Sequence, residues 1–133
     1  GAHEAIEIVE VPNRYLAGIT EVALKNHVAD KTNWRKMLTN DVLDLDLHAE
    51  RDKLKQFIPD EARDYYLASN QETEIKFPVE KYPEKVKTLN LSKSPFYEGL
   101  LRGIKGQYLI FDDGTAFNVR GHEGHVVEIK VVL

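Results

Sequence analysis

The feature that most constrains the fold is a change in the spacing of apolar residues near residue 80. Before this point, Leu16, Ile19 and Ala23 recur at helical spacing. After it, short β-rich runs alternate with turn residues. Such a change predicts an α+β fold: an N-terminal strand with two or three helices, followed by a small antiparallel β-sheet or barrel. We therefore predict a mainly helical segment over residues 1–80 and a small all-β domain over 81–133.

The first segment opens with a predicted strand. The run "EAIEIVEV" (4–11) alternates like a half-buried strand. Helical spacing follows from Arg14 to about Val28. It returns over residues 40–58, where Asn40 or Asp41 is the expected N-cap.

The second segment predicts strands joined by tight turns. Asp113 and Gly114 lie between two β-rich runs, which predicts a hairpin with glycine at positive φ. Gly103 and Gly106 predict a bulge or a sharp bend. The five strand-like runs are "VKTLNL", "FYEGLLRGI", "QYLIF", "TAFNV" and "HVVEIKVVL".

Composition excludes several classes of protein. Of 133 residues, 42% are hydrophobic and none is cysteine, so the chain can bury a core without disulfides or thiolate metal sites. The lack of cysteine predicts a reducing compartment, the cytoplasm. Apolar runs are shorter than the roughly 20 residues that span a bilayer, so we expect no membrane partner. The single methionine is Met37, so we expect the chain to be a piece of a longer protein.

The net charge of −4 is unevenly distributed. Residues 1–80 carry 16 acidic and 10 basic side chains, whereas residues 81–133 carry 6 and 8. The basic excess of the second segment indicates either ordinary solvated surface or a face for a polyanion. The acidic total favours a different function, that of a non-catalytic protein-interaction or structural domain.

A basic stretch surrounds the only tryptophan. Lys25, Lys31, Arg35 and Lys36 could contact a phosphate backbone while Trp34 stacks on a base. The alternative is that Trp34 belongs to the core and the cations are its solvated surroundings.

A second basic group lies at the predicted bends of the β segment. Arg102, Lys105 and Arg120 could bind nucleic acid, as the surfaces of small barrels do. Charged residues at bends are also common without such a role. His122 and His125 in "GHEGH" have the spacing of a helical ligand pair, but glycines flank them and no cysteine could complete a tetrahedral site.

Three strings together resemble a known bacterial family. "KNHVADKTNWRKML", "YPEKVKTLNLSKSP" and "GIKGQYLIFDDGTAFNVRGHEGHVVEI" look like the C-terminal part of the family catalogued as domain of unknown function 2797. Full members carry a longer N-terminal region with cysteines. The family is itself distantly similar to GIY-YIG endonucleases.

The GIY-YIG resemblance implies a role for two residues of "EVALKNHVADKTN". Glu21 matches the glutamate that holds a divalent metal in those enzymes, and Asn33 matches the asparagine that completes the site. In that role Asn33 would donate to a phosphate or fix the adjacent strand. The expected cofactor is Mg²⁺, since one carboxylate and waters suffice to hold it. The two tyrosine motifs and the arginine would precede this sequence, so we expect the piece alone to be inactive.

Both residues also have ordinary interpretations. Glu21 could form a helical ion pair with Lys25, and Asn33 could bond to its own backbone in a loop. The function predicted from all of these features is the binding of DNA or RNA by a module derived from a GIY-YIG-like scaffold. The oligomeric state is not predicted.

Overall fold

The computed structural model describes residues 2–29 and 31–132. The described residues form two compact units. The first contains residues up to 37 together with 41–76, and the second contains 38–40 together with the residues from 77 onward. None of the helices described is long and apolar enough to cross a membrane.

In the first unit a run of helices lies between two short strands, and most strands lie in the second unit. The helices are α1 (Arg14–Leu24), α2 (Trp34–Thr39), α3 (Leu47–Leu54) and α4 (Asp60–Arg63), with 3₁₀ helices at Lys55–Phe57 and Arg120–His122. The strands are β1 (Glu4–Ile6), β2 (Glu72–Glu74), β3 (Lys87–Leu89), β4 (Leu101–Lys105), β5 (Tyr108–Phe111) and β6 (Thr115–Asn118). This arrangement confirms the predicted α+β class.

The first unit is organised around α1. The side chain of Asn13 caps this helix by accepting a hydrogen bond from the Leu16 backbone N–H at 3.0 Å. The helix packs against α4, and Leu24 and Ala62 are both buried. The ribbon of β1 and β2 is antiparallel and lies in the same unit.

The predicted helix cap at Asn40 or Asp41 is wrong. Asn40 has φ of +56°, and the Asp41 backbone N–H bonds to the carbonyl of Lys36 at 2.9 Å, so this segment ends α2. The next helix, α3, begins later, where the side chain of Asp46 accepts from the Ala49 backbone N–H at 3.0 Å. Asparagine tolerates the left-handed conformation, which explains its use as a stop rather than a start.

The second unit is built on a four-stranded sheet with the order β3-β6-β5-β4. β4, β5 and β6 are antiparallel neighbours, but β3 runs parallel to β6. Among the described residues the sheet is open at β3 and β4, and does not close into a barrel. Tyr108, Ile110 and Ala116 are buried and share one face, since Ile110 and Ala116 are cross-strand partners.

Two glycine predictions for this sheet are confirmed. Gly114 has φ of +83° in the turn between β5 and β6, as the predicted hairpin requires. The register of β4 against β5 shifts between Leu101 and Gly103, which is the expected irregularity. A side chain at position 103 would lie 2.8 Å from the backbone of Val79, so close approach of two chain segments also requires glycine there.

The fifth strand-like run is not a strand in the structure. Residues 126–132 make no ladder with any described strand, and Val126, Ile129 and Val132 are exposed. A strand needs a hydrogen-bonded neighbour as well as a β-rich composition, and this run has no such neighbour within the described chain.

Candidate nucleic-acid interface

Asn33 lies at the start of α2, where its side chain caps the helix. Its side-chain oxygen accepts a hydrogen bond from the Lys36 backbone N–H at 3.2 Å, and its carbonyl accepts from the Met37 N–H at 2.9 Å. Such a cap stabilises a helix by about 1 kcal/mol. The side-chain oxygen of Asn33 is therefore used in a local bond to the backbone, as the ordinary interpretation of this residue requires. Its proposed contact with phosphate stays a prediction, and would have to use the amide N–H groups.

The side chains at the start of α2 combine an aromatic ring with exposed cations. The Arg35 guanidinium lies over the ring of Trp34, 4.3 Å from its centroid. Trp34 is half-buried, whereas Lys31, Arg35 and Lys36 are exposed. Lys36 approaches Asp41 at 3.6 Å, but more than half of each side chain is exposed, so water screens this ion pair. The arrangement presents positive charge beside an aromatic edge.

Glu21 and Lys25 lie at the C-terminal end of α1. Both side chains are exposed, and the Lys25 backbone N–H bonds to the Glu21 carbonyl at 3.0 Å. A carboxylate in the last turn opposes the helix dipole, whose negative end lies there. The helix dipole therefore gives no reason for a glutamate at position 21.

One cavity adjoins the cap of α2. It has a volume of about 300 Å³ and is lined in part by Thr32, Asn33 and Met37. Glu21 is not among its lining residues. The cavity therefore does not join the two residues that the GIY-YIG resemblance pairs.

A magnesium ion at Glu21 would need further ligands from outside the described residues. Within residues 2–29 and 31–132, no group of three or more histidine, aspartate or glutamate side chains has the geometry to hold a metal ion. One carboxylate fits Mg²⁺ only when waters and substrate phosphates fill the remaining positions. The single residue available makes the fit incomplete, and we derive no catalytic step from it.

In the second unit, two of the three predicted cations have acidic or aromatic neighbours. Arg102 donates from Nε to Asp112 Oδ1 at 2.9 Å, and its Nη1 lies 3.4 Å from Glu80 Oε2. Lys105 is only 1% exposed. Arg120 lies in a 3₁₀ helix and is exposed. Of the three, Arg120 is the most exposed, whereas Arg102 is one-third exposed and already contacts two carboxylates.

The burial of Lys105 corrects the expectation that it lies at an accessible bend. Its Nζ donates to Asn40 Oδ1 at 3.3 Å and lies 5.1 Å and 4.8 Å from the ring centroids of Phe77 and Tyr82. A buried ammonium group requires such partners. The lysine is therefore packed inside the second unit and does not present its charge to a ligand.

The chain matches the family model described as "Protein of unknown function (DUF2797)" over residues 1–127. The chain belongs to this family. Searches of curated proteins and of solved structures gave no match. The family assignment agrees with the resemblance found in the three sequence strings.

The histidine pair of this DUF2797 chain has a structural role. The ring Nε2 of His122 accepts from the Leu91 backbone N–H at 3.2 Å, so Nδ1 carries the proton and donates to the Asn118 carbonyl at 2.8 Å. The His125 ring bonds to Ser92 Oγ and to the His122 carbonyl. Both His122 nitrogens are used, so this residue is not free to ligate a metal.

Sequence reasoning missed one polar cluster in the first unit. Tyr66 donates to Asp52 Oδ1 at 2.7 Å, and Arg51, which is buried, donates to the Ser69 carbonyl and to Asp52. The hydrogen bond from Tyr66 lowers the pKa of Asp52, and Arg51 adds to the effect. Partial burial and the bond to Asp52 raise the pKa of Tyr66. Tyr66 lies fourteen residues from Asp52, and no spacing rule connects two residues so far apart.

Proposed function

We propose that this DUF2797 chain binds nucleic acid in the cytoplasm through a surface formed by the residues around α2. The α2 surface consists of Lys25, Lys31, Trp34, Arg35 and Lys36. The observation that carries the proposal is the stacking of Arg35 on Trp34 at 4.3 Å among exposed lysines.

The chemistry of this surface matches two features of a nucleic acid. Lysine and arginine side chains bind phosphates and release the counterions condensed around them. A tryptophan and a guanidinium plane can both stack on a base that is not paired. We therefore expect single strands to bind more tightly than duplexes, because only single strands expose the faces of their bases.

The second part of the proposal concerns the GIY-YIG-like scaffold. In an intact parent protein that cleaves nucleic acid, Glu21 would hold Mg²⁺ beside a phosphate. Asn33 would be a positioning residue, because its side chain caps the helix that carries the cations. Arg120, which is exposed in the second unit, is a further candidate for a phosphate contact.

Salt dependence of binding tests the first part of the proposal. Fluorescence anisotropy would follow labelled single-stranded DNA, RNA of the same sequence and duplex DNA over a range of salt concentrations. The variant combines Lys31→Gln, Arg35→Gln and Lys36→Gln. It should bind more weakly, and its slope of log affinity against log salt should fall by about 0.7–0.9 for each phosphate that the variant no longer neutralises.

The matched control combines Lys85→Gln, Lys87→Gln and Lys93→Gln, which removes three exposed lysines from the second unit. It should leave affinity and slope nearly unchanged. Equal loss of affinity in this control and in the α2 variant would mean that net charge, rather than this surface, drives the binding. Affinity that does not change with salt would contradict a phosphate-driven mode altogether.

Trp34→Ala tests the stacking component. Stacking of one base on an aromatic side chain contributes about 1–3 kcal/mol, so the loss of affinity should be larger for single strands than for duplexes. Because Trp34 is half-buried, circular dichroism must first establish that the variant folds. Trp34→Phe retains a ring and should recover part of the affinity.

Glu21→Ala in an intact parent protein tests the scaffold part. Cleavage of DNA or RNA with Mg²⁺ should be abolished if Glu21 holds the metal, while binding without the metal should remain. Unchanged cleavage would remove Glu21 from the mechanism. Absence of cleavage by either protein, with binding retained, would leave a binding module without chemistry.

A protein-interaction or structural role is the second candidate. The outer face of α1 favours it, since Tyr15 and Val22 are each about 70% exposed and Gly18 has open space around it. This face borders a shallow groove of about 480 Å³. The anisotropy experiment separates the candidates, because a domain of this second kind would show no affinity for nucleic acid at low salt.

A further inference from the structure

Residues 126–132 form an exposed segment that is rich in β-branched side chains. The sequence is "VVEIKVV", and five of its seven residues are valine or isoleucine. Ile129 is 73% exposed, Val131 77% and Val132 93%. Five apolar residues in so short an exposed stretch exceed the scattered exposure that is normal for a protein surface. The segment thus has the composition of a strand without a neighbour.

The two sides of the segment differ in polarity. The Lys130 Nζ lies 3.3 Å from Glu128 Oε1, so these two side chains, two residues apart, reach the same side. In a strand, Val127, Ile129 and Val131 would alternate with them. One side of such a strand would carry both charges between Val126 and Val132, and the other would be wholly apolar.

The segment is also complementary to itself when reversed. In an antiparallel pair centred on Ile129, Glu128 of one copy lies opposite Lys130 of the other, twice by symmetry. Val127 then lies opposite Val131, and Val126 opposite Val132. We propose that two copies of this chain associate by antiparallel pairing of residues 126–132 about Ile129.

Charge selects this register over its neighbours. A slip of two residues in either direction places Glu128 opposite Glu128, or Lys130 opposite Lys130. Parallel pairing in register places Glu128 opposite Glu128 and also Lys130 opposite Lys130. A slip of one residue places charged side chains beside apolar ones. Only the pairing centred on Ile129 joins opposite charges and apolar residues at every position.

The dimer formed in this way is reversible. Two strands alone are marginally stable in water, so association rises with protein concentration and is incomplete in dilute solution. The interface is isologous, because the same surface of each copy takes part. The proposed dimer does not depend on nucleic-acid binding. The family match ends at residue 127, so membership of the family does not account for pairing through residues 126–132.

Sedimentation velocity of the whole chain over a range of concentrations tests the proposal by charge exchange. The wild type should show a monomer–dimer equilibrium. Glu128→Lys alone and Lys130→Glu alone should each weaken the dimer about ten-fold, since two cross-strand pairs become repulsive. An equimolar mixture of these two variants should dimerise again, as should the chain that carries both changes. The altered side chains are exposed, so circular dichroism should show an unchanged fold.

Cysteine cross-linking provides a second measurement. The sequence contains no cysteine that could form competing disulfides. With oxidised glutathione as oxidant, Ile129→Cys should form a disulfide-linked dimer, because position 129 faces itself across the axis. Val126→Cys should not, because it faces position 132. Parallel pairing would cross-link both.

Three results would overturn the proposal. A wild type that stays monomeric at all concentrations excludes pairing between copies and leaves another protein as the partner. A dimer that is indifferent to Glu128→Lys places the interface elsewhere. Equal cross-linking at positions 126 and 129 rejects the antiparallel register.

Discussion

The basic residues of the two compact units have different surroundings, although the sequence makes them look alike. On the α2 surface of the first unit, Lys31 and Arg35 are exposed and the guanidinium of Arg35 lies on an aromatic ring. In the sheet of the second unit, Arg102 contacts two carboxylates and Lys105 is buried. The first arrangement leaves cations exposed, and the second gives them carboxylate, amide or aromatic neighbours.

A count of cations along the sequence therefore does not show which of them are exposed. Residues 81–133 have the basic excess, yet their Arg102 and Lys105 are engaged by neighbours. Residues 1–80 are acidic overall, yet they contain the α2 surface. The electrostatic field at a surface depends on which side chains reach it, so the net charge of a segment does not show where its exposed cations lie.

The largest expected effect is on the stability of the second unit. Lys105→Ala removes a side chain that is 1% exposed, and the Asn40 side chain and two aromatic rings then face an empty space. We expect the free energy of unfolding to fall by about 2–4 kcal/mol, in the range of large-to-small substitutions in cores. Urea unfolding followed by circular dichroism measures this decrease.

Lys105→Met and Lys31→Ala are the controls for this prediction. Methionine keeps most of the apolar packing of the lysine stem, so it should cost less than alanine. Lys31 is exposed, and its replacement should change stability by no more than about 0.5 kcal/mol. Equal stability of Lys105→Ala and Lys31→Ala would show that Lys105 is not structural. It would contradict the difference inferred between the basic residues of the two units.

A moderate increase in affinity for single-stranded DNA is expected when the two carboxylates that contact Arg102 are neutralised. Asp112→Asn together with Glu80→Gln removes both carboxylates from its guanidinium while keeping the shapes of the side chains. If neutralisation is what prevents Arg102 from binding phosphate, affinity for single-stranded DNA should rise about two- to five-fold at low salt, and the salt slope should steepen by about one unit. Fluorescence anisotropy measures both quantities.

The control removes acids that have no part in this cluster. Glu61→Gln together with Glu84→Gln changes the net charge equally at exposed positions. A similar rise in affinity in this control would assign the effect to net charge. No rise in either variant would indicate that the sheet surface cannot reach a phosphate even when Arg102 is available.

Much of the fold could be predicted from local signals. The change of apolar spacing indicates the α+β class, and Asp113 with Gly114 indicates the hairpin, because positive φ at glycine is a local requirement. The start of α3 was missed because several acidic and amide residues in 40–46 could cap a helix. The parallel pairing of β3 with β6 was also missed, since strand partners far apart in sequence leave no local signal.

The candidate site was harder to predict than the fold. The cation stretch around Trp34 follows from adjacency in the sequence, and the structure shows how its members are exposed. The buried Lys105 has its hydrogen-bond partner, Asn40, 65 residues away in the sequence. The same limit hid the hydrogen bond between Tyr66 and Asp52. Pairs of this kind become visible only when the chain is folded.

The smallest expected effect is a pH dependence that sharpens the assignment of Arg102 as a structural cation. The hydrogen bond from Arg102, with the nearby charge of Lys81, lowers the pKa of Asp112. A carboxyl group whose pKa is lowered in the folded state adds stability above its unfolded pKa of about 3.9, and this contribution is lost as the pH falls through the folded value. Arg102→Gln removes the main cause. Its stability deficit relative to wild type should therefore be present at neutral pH and shrink in acid, as urea unfolding between neutral and acidic pH would measure.

The control is Arg120→Gln, which removes an exposed arginine. Its free energy of unfolding, plotted against pH, should run parallel to that of the wild type. A deficit in Arg102→Gln that does not change with pH would mean that Asp112 is not its energetic partner, and Arg102 would then rejoin the cations available for a ligand.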